Sequence, residues 1–227
     1  MKAYELNLLS PLYYRSRIES GAAGATTTSP WIGDLAMMYA INSSLGLEHI
    51  KFGYTSHKPN YGEIVKLGFL LSVLEPISPC KYTKVFDIAT SFISEGYPQG
   101  KAIHDSSNAP MRNWMKRQGI EPGNRFSFFS FFSDNFRDLP SKFTVRLGNT
   151  RESLALVTEI PKNEMKKELT LNLYSLSIAL KSERFQEILR EIKAGRYSMH
   201  IEQVAPQYVL AKEVSVKDAL EILEPYA

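Results

Sequence analysis

Two short segments of this chain carry the groups that single-stranded nucleic acid needs: flat rings to stack on bases and cations to meet phosphates. The first is Tyr13-Tyr14-Arg15-Ser16-Arg17. Its competing account is that one tyrosine packs into the core while the arginines are merely solvated. The second is Lys142-Phe143-Thr144-Val145-Arg146-Leu147-Gly148-Asn149-Thr150-Arg151-Glu152-Ser153. A glycine turn between two strands lets a phosphate approach backbone N–H groups, and Arg146, Arg151, Asn149 and Ser153 supply further donors to its oxygens. The competing account is an ordinary hairpin with exposed arginines. Together these segments give Tyr14, Arg15, Arg17, Lys142, Arg146, Asn149, Arg151 and Ser153 as the expected RNA-binding residues. A third basic group, Arg112, Trp114, Lys116, Arg117 and Arg125, suits a contact with DNA or with a neighbouring subunit, and equally a basic face around one buried tryptophan.

Enzymatic constellations are thin. His49, His57, His104 and His200 are scattered, with no His-Glu-x-x-His or His-x3-His spacing to put two ligands on one metal. Neither a Gly-x-Ser-x-Gly elbow nor a phosphate-cradling Gly-x4-Gly-Lys-Ser/Thr loop occurs. Gly21-Ala22-Ala23-Gly24 imitates a dinucleotide loop but does not close a strand, so a plain loop is expected. No catalytic residue, metal or cofactor is therefore predicted.

The bulk numbers narrow the setting. The chain has 227 residues, 44% hydrophobic and 22% charged, which suits one elaborated globular domain over 1–227. Its net charge of +3 is too small to argue for a polyanionic partner. Between Met111 and Arg151, however, eight cationic residues face three acidic ones, and the remainder of the chain is slightly acidic. A single cysteine, Cys80, leaves no internal disulfide, and a reducing, cytoplasmic setting is expected. The most apolar run, Val65 to Ile77, contains Lys66, Glu75 and Pro76 and falls short of the ~20 apolar residues a membrane helix needs. The first residues do not follow the basic-then-apolar layout of a secretion signal.

The elements that must position these groups follow from periodicity. Tyr4, Leu6 and Leu8 alternate with Glu5 and Asn7 as in a strand that Pro11 ends. Ser29-Pro30 predicts a helix start, and a helix from Pro30 to Leu45 would bury Ile32, Leu35, Ala36, Tyr39 and Ala40, with Gly46 as its stop. Val65 to Val73 alternates as a strand inside a Gly-, Pro- and Tyr-rich stretch from Phe52 to Pro110 that reads as an extended insertion. Phe126 to Phe136 holds six of the twelve phenylalanines and reads as core or interface. Phe143 to Val157 reads as a β-hairpin around Gly148-Asn149. Leu169 to Leu180 reads as a strand or buried segment, Ser182 to Ala194 as a helix capped by Ser182 and stopped by Gly195, and a last strand and short helix follow. This order suits an α+β sandwich of the ferredoxin-like kind, whose open sheet face is a usual place for single-stranded RNA.

Tyr4-Glu5-Leu6-Asn7-Leu8-Leu9, Leu12-Tyr13-Tyr14-Arg15, the threonine-rich loop, Pro30-Trp31-Ile32-Gly33-Asp34-Leu35-Ala36 and Phe143-Thr144-Val145-Arg146-Leu147-Gly148 with Arg151 and Ser153 resemble the subunit that caps the guide-RNA 5′ handle in type I-D CRISPR effector (Cascade) complexes. Gly33-Asp34 stands where the resemblance leads one to expect His-Asn, and Asn149-Thr150-Arg151 where it leads one to expect a more basic run. The resemblance implies a ferredoxin-like (RRM/RAMP-type) domain of the repeat-associated mysterious protein superfamily, with a thumb-like β-hairpin insertion over about 52–140. It further implies a non-catalytic role in holding the crRNA 5′ handle, assembly beside backbone-filament subunits and the large subunit, and a place near target DNA. The alternative is a metal-independent endoribonuclease acting on repeat RNA, which needs a general base near a 2′-hydroxyl and a cation for the phosphate, with Tyr14 and a lysine or His104 as the groups to serve.

Overall fold

The computed structural model describes residues 1–13, 19–20, 26–47, 61–90, 113–133, 138–148, 153–161 and 167–223, with the backbone alone for 19–20, 26–27, 86–90 and 113–116. Its centre is an antiparallel sheet. Strand β1 (Lys2–Leu8) lies between β8 (Arg125–Phe132) and β10 (Ser153–Ile160). Strand β9 (Lys142–Leu147) pairs outside β10, and β4 (Phe69–Leu71) and β5 (Glu75–Pro76) pair outside β8. Alternation sets the faces: Tyr4, Leu6 and Leu8 share one face with Phe126, Phe128, Ala155 and Val157, and with Phe143, Val145 and Leu147, all of them buried. Tyr4 stacks on Phe128 at 5.4 Å between ring centroids, and its hydroxyl donates to the Leu139 carbonyl at 3.2 Å. Burial raises that hydroxyl's pKa.

Helix α1 (Asp34–Ser44) covers this sheet, packing on β9, β4 and a 3-10 helix over Tyr61–Leu67. It starts four residues later than Ser29-Pro30 predicts, because Ile32 exchanges backbone bonds with Leu74 (3.1 and 2.9 Å) and holds the chain extended up to Gly33. The ring of Tyr208 lies against Gly33 where a Cβ would stand. Burial also differs from the expected stripe: Met37, Met38 and Ile41 join Leu35 and Ala40 inside, while Ala36 and Tyr39 are half-buried. Gly46 does close the helix, at φ +61.

The expected strand from Val65 to Val73 is corrected. Residues 61–67 form the 3-10 helix, which buries Ile64 and Leu67 one turn apart and leaves Val65 half exposed. Only Phe69–Leu71 is strand, and it is buried on both faces, so alternation there carried no burial signal.

A second, four-stranded sheet is formed by β2 (Glu19–Ser20), β3 (Thr26–Thr27), β7 (Asn113–Gln118) and β6 (Phe86–Thr90), in that order. A third, three-stranded sheet orders β11 (Glu168–Asn172), β13 (Tyr208–Ser215) and β12 (His200–Ala205). Around it lie α2 (Leu173–Ala179), α3 (Ser182–Lys193) and α4 (Val216–Leu223). Ser182 begins α3 rather than capping it, and Lys181 holds the cap position. This third sheet joins the centre through Val73, whose N–H donates to the Thr170 carbonyl at 2.9 Å, and through Thr170 Oγ1, which donates to Glu75 at 2.7 Å.

The architecture is thus mixed α and β around a central antiparallel sheet. All described neighbours in that sheet are antiparallel, and β1 and β4, with α1 between them in the chain, run in the same direction on either side of β8, the relation of strands in a split β-α-β unit. Strands β4, β5 and β8 fall within the expected 52–140 insertion yet belong to the central sheet, whereas β6 and β7 lie outside it. No described helix is long and apolar enough to cross a membrane.

Candidate nucleic-acid interface

Strand β1 runs out at Leu8, and the next five residues are fixed on two sides. On one side Leu9 and Ser10 donate their N–H groups to the Leu154 carbonyl (2.9 and 3.3 Å), and Ser10 Oγ accepts from the Leu154 N–H at 2.7 Å. Ser153 Oγ donates to the Pro11 carbonyl at 2.6 Å. On the other side Leu12 and Ile120 exchange backbone bonds at 2.9 Å each, and Thr28 Oγ1 donates to the Leu12 carbonyl at 3.3 Å. Asn124 braces the approach to β8, donating to the Lys81 and Glu121 carbonyls and accepting from the Lys81 N–H at 2.9 Å.

Glycines make the fit possible. Gly148, at φ +88, ends β9 where a Cβ would stand 2.9 Å from the Tyr13 carbonyl oxygen and 3.3 Å from Ser153 Oγ. Gly119 ends β7 where a Cβ would stand 2.5 Å from Tyr13 Cε1 and 2.7 Å from the Leu12 carbonyl. Tyr13 is therefore wedged between the ends of β7 and β9, half-buried, as the packed-tyrosine account expected of one member of the pair. The described flanks of the first basic segment and of the second consequently meet at one place, beside the end of the third.

The predicted residues fall into four groups. Tyr14, Arg15, Arg17, Asn149, Arg151 and Arg112 lie outside the described residues. Trp114 and Lys116 are placed on β7 by their backbone, opposite Ala89 and Asp87, with Arg117 following opposite Phe86. Lys142 and Arg146 are exposed on β9, on the face away from α1, and the Arg146 N–H donates to Ser44 Oγ at 3.3 Å. Arg125 lies on the same face of the sheet, three strands away, with Nη1 3.4 Å from Glu5 Oε2. Ser153 is buried with its hydroxyl committed to Pro11, so in this arrangement it positions the turn rather than offering a donor to a ligand.

Sequence reasoning missed two features. The face away from α1 also carries Thr144, Leu154, Leu156, Thr158, Glu5 and Asn7, a mixed polar and apolar surface legible only from the strand register. It also missed Asp34, fully buried at the start of α1, which accepts from Asn172 Nδ2 at 2.9 Å and from Ser175 Oγ. Burial pushes its carboxyl up to about 6. Asn172 in turn caps α2 through Tyr174 N–H, accepts from Val209 N–H and donates to the Gln207 carbonyl, so one buried cluster ties α1 to the third sheet. Among the described residues no three His, Cys, Asp or Glu side chains gather to hold a metal ion.

A family model described as "Type I-D CRISPR-associated protein Cas5/Csc1" matches residues 1–217. A search of curated proteins finds no match. Among solved structures, the chain is similar to one in the cryo-EM structure of the Type III-B Cmr-beta bound to cognate target RNA and AMPPnP, at 10% identity and a TM-score of 0.43, covering 98% of this chain and 88% of that one. A second, Type III-B Cmr-beta bound to cognate target RNA, gives 11% identity and a TM-score of 0.42, with 98% and 89% covered.

Proposed function

This chain belongs to the type I-D CRISPR-associated Cas5/Csc1 family, and from that premise we propose that it is the non-catalytic subunit of a type I-D effector complex that holds the 5′ handle of the crRNA. The observation that carries the proposal is the stitching of residues 9–13 to Gly148, Ser153 and Leu154, which brings the start of one basic segment against the base of the other. A strand of RNA entering there meets Arg146 and, further along β9, Lys142, and the proposal adds Tyr14, Arg15, Arg17, Asn149 and Arg151, which adjoin the stitched residues in sequence. Side-chain cations and the backbone N–H groups of a glycine turn suit phosphates, and no proton transfer is required of them.

In this reading the chain is one RAMP-like domain, and β6 and β7 of the smaller sheet supply the thumb-like part of the insertion. The basic residues Arg112, Lys116 and Arg117, with Trp114 among them, are assigned in this reading to target DNA or a neighbouring subunit, the backbone filament and the large subunit being the partners, in the cytoplasm. Arg125 belongs instead with the RNA side, since it shares a sheet face with Lys142 and Arg146.

Handle RNA mixed with the purified chain should be retained intact. Lys142→Ala with Arg146→Ala should weaken binding and reduce the slope of log K against log salt by about 0.7 for each phosphate that is no longer neutralised. Cutting of the RNA without metal would instead indicate an endoribonuclease, and an unchanged slope in the double variant would remove β9 from the site.

A further inference from the structure

The sheet face away from α1 has an ordered chemistry across its strands. On β9 at its edge stand Lys142, Thr144 and Arg146, all exposed. Next, on β10, come Thr158, Leu156 and Leu154, half-buried and paired in register with those three. On β1 come Glu5 opposite Thr158 and Asn7 opposite Leu156. On β8 come Ser127 opposite Glu5 and Arg125 opposite Asn7, with Arg125 exposed. Three cations thus stand on two strands, β9 at the sheet's edge and β8 just inside β5, separated by three strand spacings or ~14 Å. Between them lies a floor of two leucines and two side chains that present acceptors.

Those acceptors have few donors to satisfy them. The Glu5 carboxylate is about one quarter exposed and has a single long contact with Arg125, 3.4 and 3.5 Å from its two oxygens. Asn7 Oδ1 is itself buried and without a hydrogen-bond partner, so Glu5 is the acceptor that a ligand on this face can reach. A phosphate is repelled by such a floor, whereas a group presenting N–H bonds is drawn to it. A nucleobase has a flat apolar face for Leu154 and Leu156 and an edge for Glu5, while its own phosphates reach the cations on β8 and β9.

We propose that this face reads one base of the bound RNA, with Glu5 as the specificity-determining residue and an amino-bearing base as its ligand. Guanine fits best, because its ring N–H and exocyclic amino group are adjacent donors matching the two carboxylate oxygens. Cytosine and adenine present an amino group beside an acceptor and fit less well. Uracil presents one N–H between two carbonyls, which face the carboxylate repulsively, and fits worst. The proposal rests on the RNA-binding reading above and adds base preference to it.

The test is fluorescence polarisation of the full chain with a short oligouridylate and with the same oligomer carrying a single guanosine, cytidine or adenosine. The guanosine oligomer should bind about tenfold more tightly than the all-uridine one, the two others falling between. Glu5→Ala should abolish that difference and raise the affinity for oligouridylate, since a negative charge beside Arg125 is gone. Glu5→Gln keeps the shape of the side chain with one acceptor oxygen and should leave a reduced preference. Equal binding of all four oligomers by the unaltered chain overturns the base-reading proposal while leaving RNA binding intact, and so does a preference that survives Glu5→Ala. Retention of no oligomer overturns both and assigns the face to a protein partner.

Discussion

Replacing Gly148 by alanine, with Gly123→Ala as its control, separates a strained backbone from a close approach. Both glycines lie in the left-handed region, at φ +88 and +81. A Cβ at 123 meets nothing within 4 Å, whereas one at 148 stands 2.9 Å from the Tyr13 carbonyl oxygen. Left-handed geometry costs an alanine ~1–2 kcal/mol, of which up to about 1 kcal/mol returns because alanine restricts the unfolded chain. Gly148→Ala adds the collision. The Tyr13 carbonyl has little room to yield, because Leu12 is held by two bonds to Ile120 and the Pro11 carbonyl by Ser153. Overpacking of this kind is worth ~1–3 kcal/mol. The expected losses are therefore about 1 kcal/mol for Gly123→Ala and about 3 kcal/mol for Gly148→Ala. Urea denaturation would read the difference as a midpoint shift at constant m-value. A thermal melt would read it as roughly 4–8 °C for a chain of this size. Gly148→Ala should also weaken handle-RNA binding under conditions where both variants are folded, because the two basic segments are forced apart. Equal stability losses in the two variants would refute the stitching of residues 9–13 to the β9–β10 turn.

Other outcomes follow from single groups. Burial holds the Asp34 carboxyl at about 6, above its ordinary value of 3.8, so the folded state binds a proton more tightly than the unfolded one. Its contribution is then fully present below pH 3.8 and lost as pH rises through about 6, a change of about 3 kcal/mol. Denaturation curves of the unaltered chain and of Asp34→Asn should diverge by that order between pH 4 and pH 8, the unaltered chain losing ground, and parallel curves would contradict the burial. Ser153→Ala should cost about 1–2 kcal/mol of stability through the missing bond to Pro11 while leaving the salt slope of RNA binding unchanged. Glu213 sits at φ +63 beside the bulge where β13 passes β11, so Glu213→Gly should raise the melting stability by about 0.5–1 kcal/mol.

Elements whose burial follows one period were legible in the sequence. Tyr4, Leu6 and Leu8 announced β1, Gly148 announced the hairpin of β9 and β10, and Phe185, Ile188, Leu189 and Ile192 announced α3. The phenylalanine run is core, with Phe126, Phe128, Phe129 and Phe131 buried, because β8 is covered on both faces over much of its length. Val65 to Val73 misled because alternation of apolar residues is meaningful only where one face is wet, and Phe69, Leu70 and Leu71 are all inside. The start of α1 misled because a tertiary bridge from Ile32 to Leu74 outweighs the local Ser-Pro signal. The candidate interface was half legible: residue types marked its basic segments, but their meeting depends on bonds between residues some 140 positions apart, and no local pattern encodes those. The role of Ser153 was hidden for the same reason, since a serine near a turn gives no sign of whether its hydroxyl faces solvent or Pro11.

The position of β1 has a bearing on how the molecule is made. Its partners are residues 125–130 on one side and 155–160 on the other, so within this sheet β1 is translated well before either neighbour. Until then Tyr4, Leu6 and Leu8 present an apolar ribbon with unpaired amides, open to aggregation in a nascent chain. Such long-range closure slows folding, and it makes the central sheet an all-or-nothing structure in which a ribosome stalled before residue 125 releases a product without its core.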